Sequence, residues 1–177
     1  PGGSLLIDAG FSGKEIEKRA EQSGVDLDSI CAIIVTHSHG DHSRSAGVLA
    51  RKWGIPLFAT PATLRKIDTR KLGERCHALP MCGRTWIAGL ALDTLPVPHD
   101  ASGTVIVRVA ERVGIATDFG AFDQRVLQFL SGLDGLLLEF NHDQQMLLQG
   151  SDPPWLKRRI LSARGHLSNE QAAALLC

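Results

Sequence analysis

Residues 30–42 read ICAIIVTHSHGDH, and the fold turns on how that stretch divides. Its first part, Ile30 to Thr36, is a β-branched apolar run of the kind buried on both faces of a strand. Its second part crowds His37, His39, Asp41 and His42 into one turn of a chain that has only seven histidines. Alternate residues of an extended chain share a side, so His37 and His39 face together, about 7 Å apart at the backbone. Two imidazoles so placed can hold one ion at about 2.0–2.1 Å per nitrogen. Gly40 permits a sharp turn that returns Asp41 and His42 toward the same place. Four donors then surround two adjacent positions. That is the geometry for a pair of divalent ions about 3.5–4 Å apart sharing one hydroxide.

Outward from this stretch, strands and helices alternate. Leu5 to Ile7 is a short strand running into Asp8-Ala9-Gly10, and Lys14 to Gln22 has helical spacing closed by Gly24. Asp41 to Trp53 reads as one helix, with Ala46, Leu49, Ala50 and Trp53 on a stripe and Gly54 as terminator. Leu57 to Thr60 is another strand, and Pro61 opens a helix through TLRKIDTRKL. The stretch from Thr85 is strand-rich, with a hairpin turning around Glu111 to Val113. A helix (FDQRVLQFL), an apolar strand (LDGLLLEF) and a basic stretch (LKRRIL) follow. Ser168 and Gln171 fit a capping box opening the last helix. This order predicts a two-layered sheet flanked by helices.

Composition bounds the partners. Lys+Arg and Asp+Glu balance at 19 each, so no global charge points to nucleic acid or to a membrane. No run of about eighteen apolar residues could span a bilayer. Four cysteines without a C-x-x-C spacing fit reduced thiols in a cytoplasmic protein better than a zinc ribbon. The 177 residues read as one domain. The chain opens in a strand already in progress and stops in mid-helix at Cys177, which predicts a fragment.

THSHGDH resembles the H-x-H-x-D-H motif of the metallo-β-lactamase superfamily, an αβ/βα four-layer sandwich of metal-dependent hydrolases. Later motifs keep that family's order. LLIDAG places Asp8 behind a metal-binding histidine, VPHDA supplies His99, and IATDFG supplies Asp118 as a carboxylate between two metals. The resemblance implies His37, His39 and His99 as ligands of a first ion, with Asp41 and His42 for the second. PVPHDASGTV, LLLEFNHDQQML and PPWLKRRILSARGHLSNEQAAALL together resemble the YycJ (WalJ) family of bacterial exonucleases. What that implies is 5′-to-3′ degradation of DNA through a two-metal-activated hydroxide, with Zn²⁺ or Mn²⁺ as cofactor. The family's first strand, and a final strand carrying one more metal-binding histidine, have no counterpart here.

By similarity to tRNA 3′-processing nucleases, Glu139 and His166 form a proton-transfer pair, beside the catalytic Asp41. Asp100 stands behind the metal ligands as a support. His142, Lys157, Arg158 and Arg159 are candidate substrate contacts, since phosphate recognition needs local rather than global positive charge. Three alternatives stay open: a small-molecule metallohydrolase of lactonase, thioesterase or β-lactamase type, an RNA-processing nuclease of the same fold, and a diiron redox protein. The last usually has glutamate where this chain has His39.

Overall fold

The computed structural model describes residues 3–176. Pro1, Gly2 and Cys177, which bear on the reading of a fragment, lie outside the described residues. Four parallel strands form the first sheet in the order β1 (Ser4–Ile7), β2 (Ile30–Val35), β3 (Leu57–Ala59) and β4 (Cys76–Ala78). The second sheet runs β5 (Gly83–Ile87), β6 (Leu90–Pro96), β7 (Val105–Val109), β8 (Val113–Ala116) and β9 (Gly135–Leu138). Its first four strands pair antiparallel, and β9 joins β8 in parallel.

The alternation of side chains along β2 decides the layering. Ala32 and Ile34 point between the sheets, into a cluster with Ile87, Leu92, Val105 and Val107. Ile33 and Val35 point the other way, against Ala46, Leu49 and Ala50 of α3 (Ala46–Trp53) and Ile16 of α1 (Gly13–Gln22). On β7 the same rule sends Val105 and Val107 inward and Ile106 outward. Ile106 joins Phe119, Val126, Leu130, Leu167 and Ala172 under α5 (Gln124–Leu130) and α8 (Asn169–Leu176). Each sheet is therefore buried on both faces, giving helix, sheet, sheet, helix. This is the four-layer αβ/βα sandwich that the sequence predicts.

Four elements differ from expectation. The helix expected over Asp41–Trp53 is broken into α2 (Gly40–Ser43) and α3. Backbone from the end of β1 causes the break: the Ala9 N–H donates to the His42 carbonyl at 2.6 Å, and the Ser45 N–H donates to the Ala9 carbonyl at 2.9 Å. Gly10 makes that approach possible, because a Cβ there would lie 1.4 Å from the Asp41 carbonyl oxygen. In TLRKIDTRKL only α4 (Pro61–Leu64) forms. Beyond it the Asp68 carboxylate accepts from the Arg70 N–H and Nε and from Arg51 Nη2, so local side-chain bonds replace the next helical turn. The strand β4 and the helix α6 (Gln144–Gln149) carry no pattern that announces them. The capping box forms as expected: the Ser168 N–H donates to Gln171 Oε1 at 2.9 Å, and the Gln171 N–H donates to Ser168 Oγ at 3.2 Å.

Candidate metal centre

The ends of β1, β2, β6, β8 and β9 meet at one edge of the sandwich and deliver Asp8, His37, His99, Asp118 and Glu139. α2 adds His39 at its N-cap and His42 in its single turn, and the segment between α7 (Pro154–Ile160) and α8 adds His166. Three sets of donors result, each with ligand atoms within 4.8 Å of one another: His37, His39 and His99; His37, His42 and Asp118; Asp118, Glu139 and His166. His37 and Asp118 each belong to two sets, so the donors form one continuous row.

Each ring is held by the nitrogen that faces away from the row. The Asp8 carboxylate accepts from the Thr36 N–H (2.8 Å), the Thr36 hydroxyl (2.8 Å) and His42 Nδ1 (2.7 Å). With its own hydrogen committed to Asp8, Thr36 Oγ1 accepts from His37 Nδ1 at 3.1 Å. His99 Nδ1 donates to the Gly165 carbonyl at 3.1 Å, and His39 Nε2 lies 3.1 Å from Asp100 Oδ1. The lone pairs of His37 Nε2, His39 Nδ1, His99 Nε2 and His42 Nε2 are left to the row. Outward partners of this kind fix the tautomer and raise ligand basicity at metal sites. Asp8 makes its three contacts from a left-handed backbone, at φ 62°.

The electrostatics fit a cation. Burial drives the His37 imidazole down to about 3, so it stays neutral, and burial lowers His99 as well. His37 Nε2 is buried and has no hydrogen-bond partner among the described residues. An orphaned neutral nitrogen costs free energy unless something electron-poor meets it. Burial alone would lower His42, yet the hydrogen bonds it donates to Asp118 and Asp8, one carboxylate on each nitrogen, carry it up to about 10. Burial would raise the Asp118 carboxyl, but the His42 bond and charge hold it well below the usual carboxylate range. His42 Nε2 and Asp118 would hold a metal ion only after His42 gives up that proton. Neutral imidazoles beside carboxylates are the donor set for Zn²⁺ or Mn²⁺. The centre is able to hold metal ions.

Not every expected residue joins the row. Asp41 stays at the rim with 79% of its side chain exposed, its carboxylate 3.8 Å from His42 Nε2, and it belongs to none of the three sets. Its backbone is pinned against Gly10. Lys157, expected as a substrate contact, instead donates Nζ to the carbonyls of Leu148 (2.7 Å) and Gly150 (2.6 Å). A cation capping the end of α6 is favoured by the unpaired carbonyls there, and this one is spent. Arg158 is exposed, and Arg159 pairs with Asp100. His142 bridges to Ser168 with Nδ1 3.3 Å from Asn141 Oδ1, outside the three sets. Glu139 and His166 do meet: His166 Nδ1 donates to Glu139 Oε2 at 3.0 Å, and Glu139 Oε1 accepts from the Phe119 N–H at 2.8 Å.

Sequence reasoning missed Thr36, the link between His37 and Asp8, as well as Gly165 and Arg164. Thr36 could have been found, as a hydroxyl ending an apolar strand directly before the first histidine. Gly165 acts through its carbonyl, and only glycine fits there, since a Cβ would lie 2.1 Å from the Ile160 carbonyl oxygen. On the His42 side the centre opens into a cleft of about 570 Å³, lined by Asp8, Asp41 and Thr117 and further on by Leu5, Phe11 and Leu137. A larger hollow of about 760 Å³ lies against α1 and touches none of the site residues.

The sequence profile of the family described as Beta-lactamase superfamily domain matches residues 4–177, and the chain belongs to that family. It is 36% identical to a protein named exodeoxyribonuclease WalJ from Streptococcus pneumoniae serotype 2 (strain D39 / NCTC 7466), over 96% of this chain and 66% of the relative. It is 32% identical to a protein named exodeoxyribonuclease YycJ from Bacillus anthracis, with the same two coverages. The chain thus spans 66% of the length of these curated relatives. Solved structures share the fold. The metallo-β-lactamase fold protein YhfI from Bacillus subtilis matches at TM-score 0.70 and 18% identity, over 98% of this chain and 69% of that one. A diphosphatase from the PhnP family matches at TM-score 0.65 and 21% identity, over 97% of this chain and 62% of that one.

Removing Asp8 tests how the rings are held. Asp8→Ala is expected to weaken Zn²⁺ or Mn²⁺ binding by about 10–100-fold in calorimetric titration, because His37 and His42 lose the carboxylate that orients them. An affinity equal to the parent's would show that the rings hold themselves.

Proposed function

We propose that this chain carries the centre of a metal-dependent phosphodiesterase, a 5′-to-3′ DNA exonuclease working with two divalent ions, Zn²⁺ or Mn²⁺. The observation that carries the reading is the continuous row from His39 to His166, in which ion-holding donors run directly into a histidine–glutamate pair. Two relatives named as exodeoxyribonucleases, at 36% and 32% identity, support the substrate.

In this reading His37, His39 and His99 hold one ion, and His42 and Asp118 hold the other, with Asp41 at its rim. Bound there, the ions would lower the pKa of water toward about 7 and offset the charge developing on a scissile phosphate. The chain's own residues do the rest. Asp8, Thr36, Asp100 and the Gly165 carbonyl keep the imidazoles aimed. Glu139 holds His166 by Nδ1, leaving Nε2 to give a proton to the departing 3′-oxygen. Burial of that pair keeps the proton at the site, with only 18% and 9% of the two side chains exposed. No helix of the described residues is long and apolar enough to cross a membrane.

The test is a cleavage assay on the whole gene product, using 5′-labelled duplex DNA with Mn²⁺ or Zn²⁺. Short labelled products that disappear with a chelator and return with added metal are expected. Intact DNA with metal shown to be bound, alongside turnover of a lactone or thioester, would sink the nuclease reading.

A further inference from the structure

Two arginines grip the same dipeptide beside the His39–His99 end of the row. Arg159, on the last turn of α7, donates Nε to Asp100 Oδ2, while Asp100 Oδ1 lies 3.1 Å from His39 Nε2. Arg164, in the loop that follows, donates Nε to the His99 carbonyl at 3.1 Å. His99 and Asp100 are consecutive, so both guanidinium groups are anchored at one point beside the row. Both are exposed. Each is held through Nε, and neither terminal Nη pair donates a hydrogen bond within the described residues. The field of Arg159 also reaches across the row. Its pKa is raised by the Asp100 bond and, from further off, by Asp41, and its own charge opposes the rise that Glu139 imposes on His166.

A surface ion pair usually contributes little to stability. These two arginines are exposed and anchored through Nε, and a free Nη fork matches two phosphate oxygens at once. A phosphodiester inside a strand carries one negative charge, which a single fork serves. Two forks on one base suit the dianion of a phosphomonoester.

From this geometry we infer that Arg159 and Arg164 form a clamp for the 5′-terminal phosphate of the substrate strand, with Asp100 as the positioning residue that holds Arg159 beside His39. The inference rests on the phosphodiesterase reading and names what that site selects, a strand end bearing a phosphomonoester. The clamp would turn a centre able to cut a phosphodiester into one that counts from the end.

The experiment is a binding titration on the metal-loaded gene product, so that it does not depend on turnover. The probes are a short single strand with phosphorothioate linkages, carrying either a 5′-phosphate or a 5′-hydroxyl. Tighter binding of the phosphorylated probe by about tenfold or more is expected for the parent, a factor suited to charge-assisted bonds. That ratio falls toward one in the Arg159→Gln, Arg164→Gln double variant. Arg159→Lys does not restore it, since an ammonium lacks the fork. Asp100→Asn lowers it by freeing Arg159. Equal affinity of the parent for both probes overturns the clamp, and so does a ratio that survives in the double variant. Inorganic phosphate binding as tightly as the phosphorylated end would overturn the strand-end assignment. The nuclease reading stands or falls separately, on the cleavage assay.

Discussion

Asp118→Ala is expected to cost one bound ion per chain and to lower the rate of DNA cleavage on the order of 10³-fold or more. Asp118 is the one carboxylate that belongs to two of the three donor sets, and its Oδ2 lies 3.0 Å from His42 Nε2. Alanine leaves His37 and His42 without an anionic partner on the row. It also cuts the connection from the ion positions to His166, whose Nδ1 is 3.5 Å from Asp118 Oδ1. Metal content by elemental analysis and rate by labelled DNA check the two halves independently. Full activity with both ions retained would mean that Asp118 only packs. Asp118→Asn separates charge from shape, because the amide keeps the volume and loses the negative charge. The rate of that variant should sit close to alanine's.

His166→Ala is the second large effect, a fall of about 10²- to 10⁴-fold in kcat with metal content unchanged. The histidine is no member of the two sets nearest α2, so in the proposed reading its loss leaves the ions and takes the proton donor. The pH profile carries the distinguishing signature. The Glu139 hydrogen bond raises the His166 pKa above the ordinary histidine value. A donor must be protonated to act, so the rate falls as pH rises through that raised pKa. Glu139→Gln removes the cause of the rise, and the alkaline limb should move to lower pH. A DNA substrate with a better leaving group than a nucleoside 3′-oxygen should recover part of the lost rate in His166→Ala, since it needs less protonation. A limb that stays in place in Glu139→Gln would remove His166 from the proton path.

The sandwich and most of the row were legible in the sequence for a physical reason. A strand buried on both faces must be apolar throughout, and donors for one ion must recur at the strand's own period of two, so ICAIIVTHSHGDH declares both at once. What could not be read was set by backbone from elsewhere. The break between α2 and α3 lies where Ala9, 33 residues before His42, inserts its N–H and carbonyl. The helix beyond Leu64 yields to Asp68, whose backbone carbonyl presses so closely on α3 that a Cβ on Gly47 would lie 1.7 Å from it. β4 has three residues, too few for any periodicity. Lys157 looked like a phosphate contact because sequence shows a charge but not what already receives it. Arg164 was overlooked for the converse reason, its one anchor being a carbonyl oxygen that every residue carries.

One carboxylate, Asp8, stands under two members of the donor row, reaching His42 directly and His37 through the Thr36 hydroxyl. Sharing has a thermodynamic result. An ion that settles against His37 fixes the tautomer and tilt of a network on which His42 also depends, and the reverse holds by the same factor. The two positions are reciprocal, and no isotherm measured at one of them belongs to it alone. In the two-ion reading the positions would be coupled rather than two independent wells.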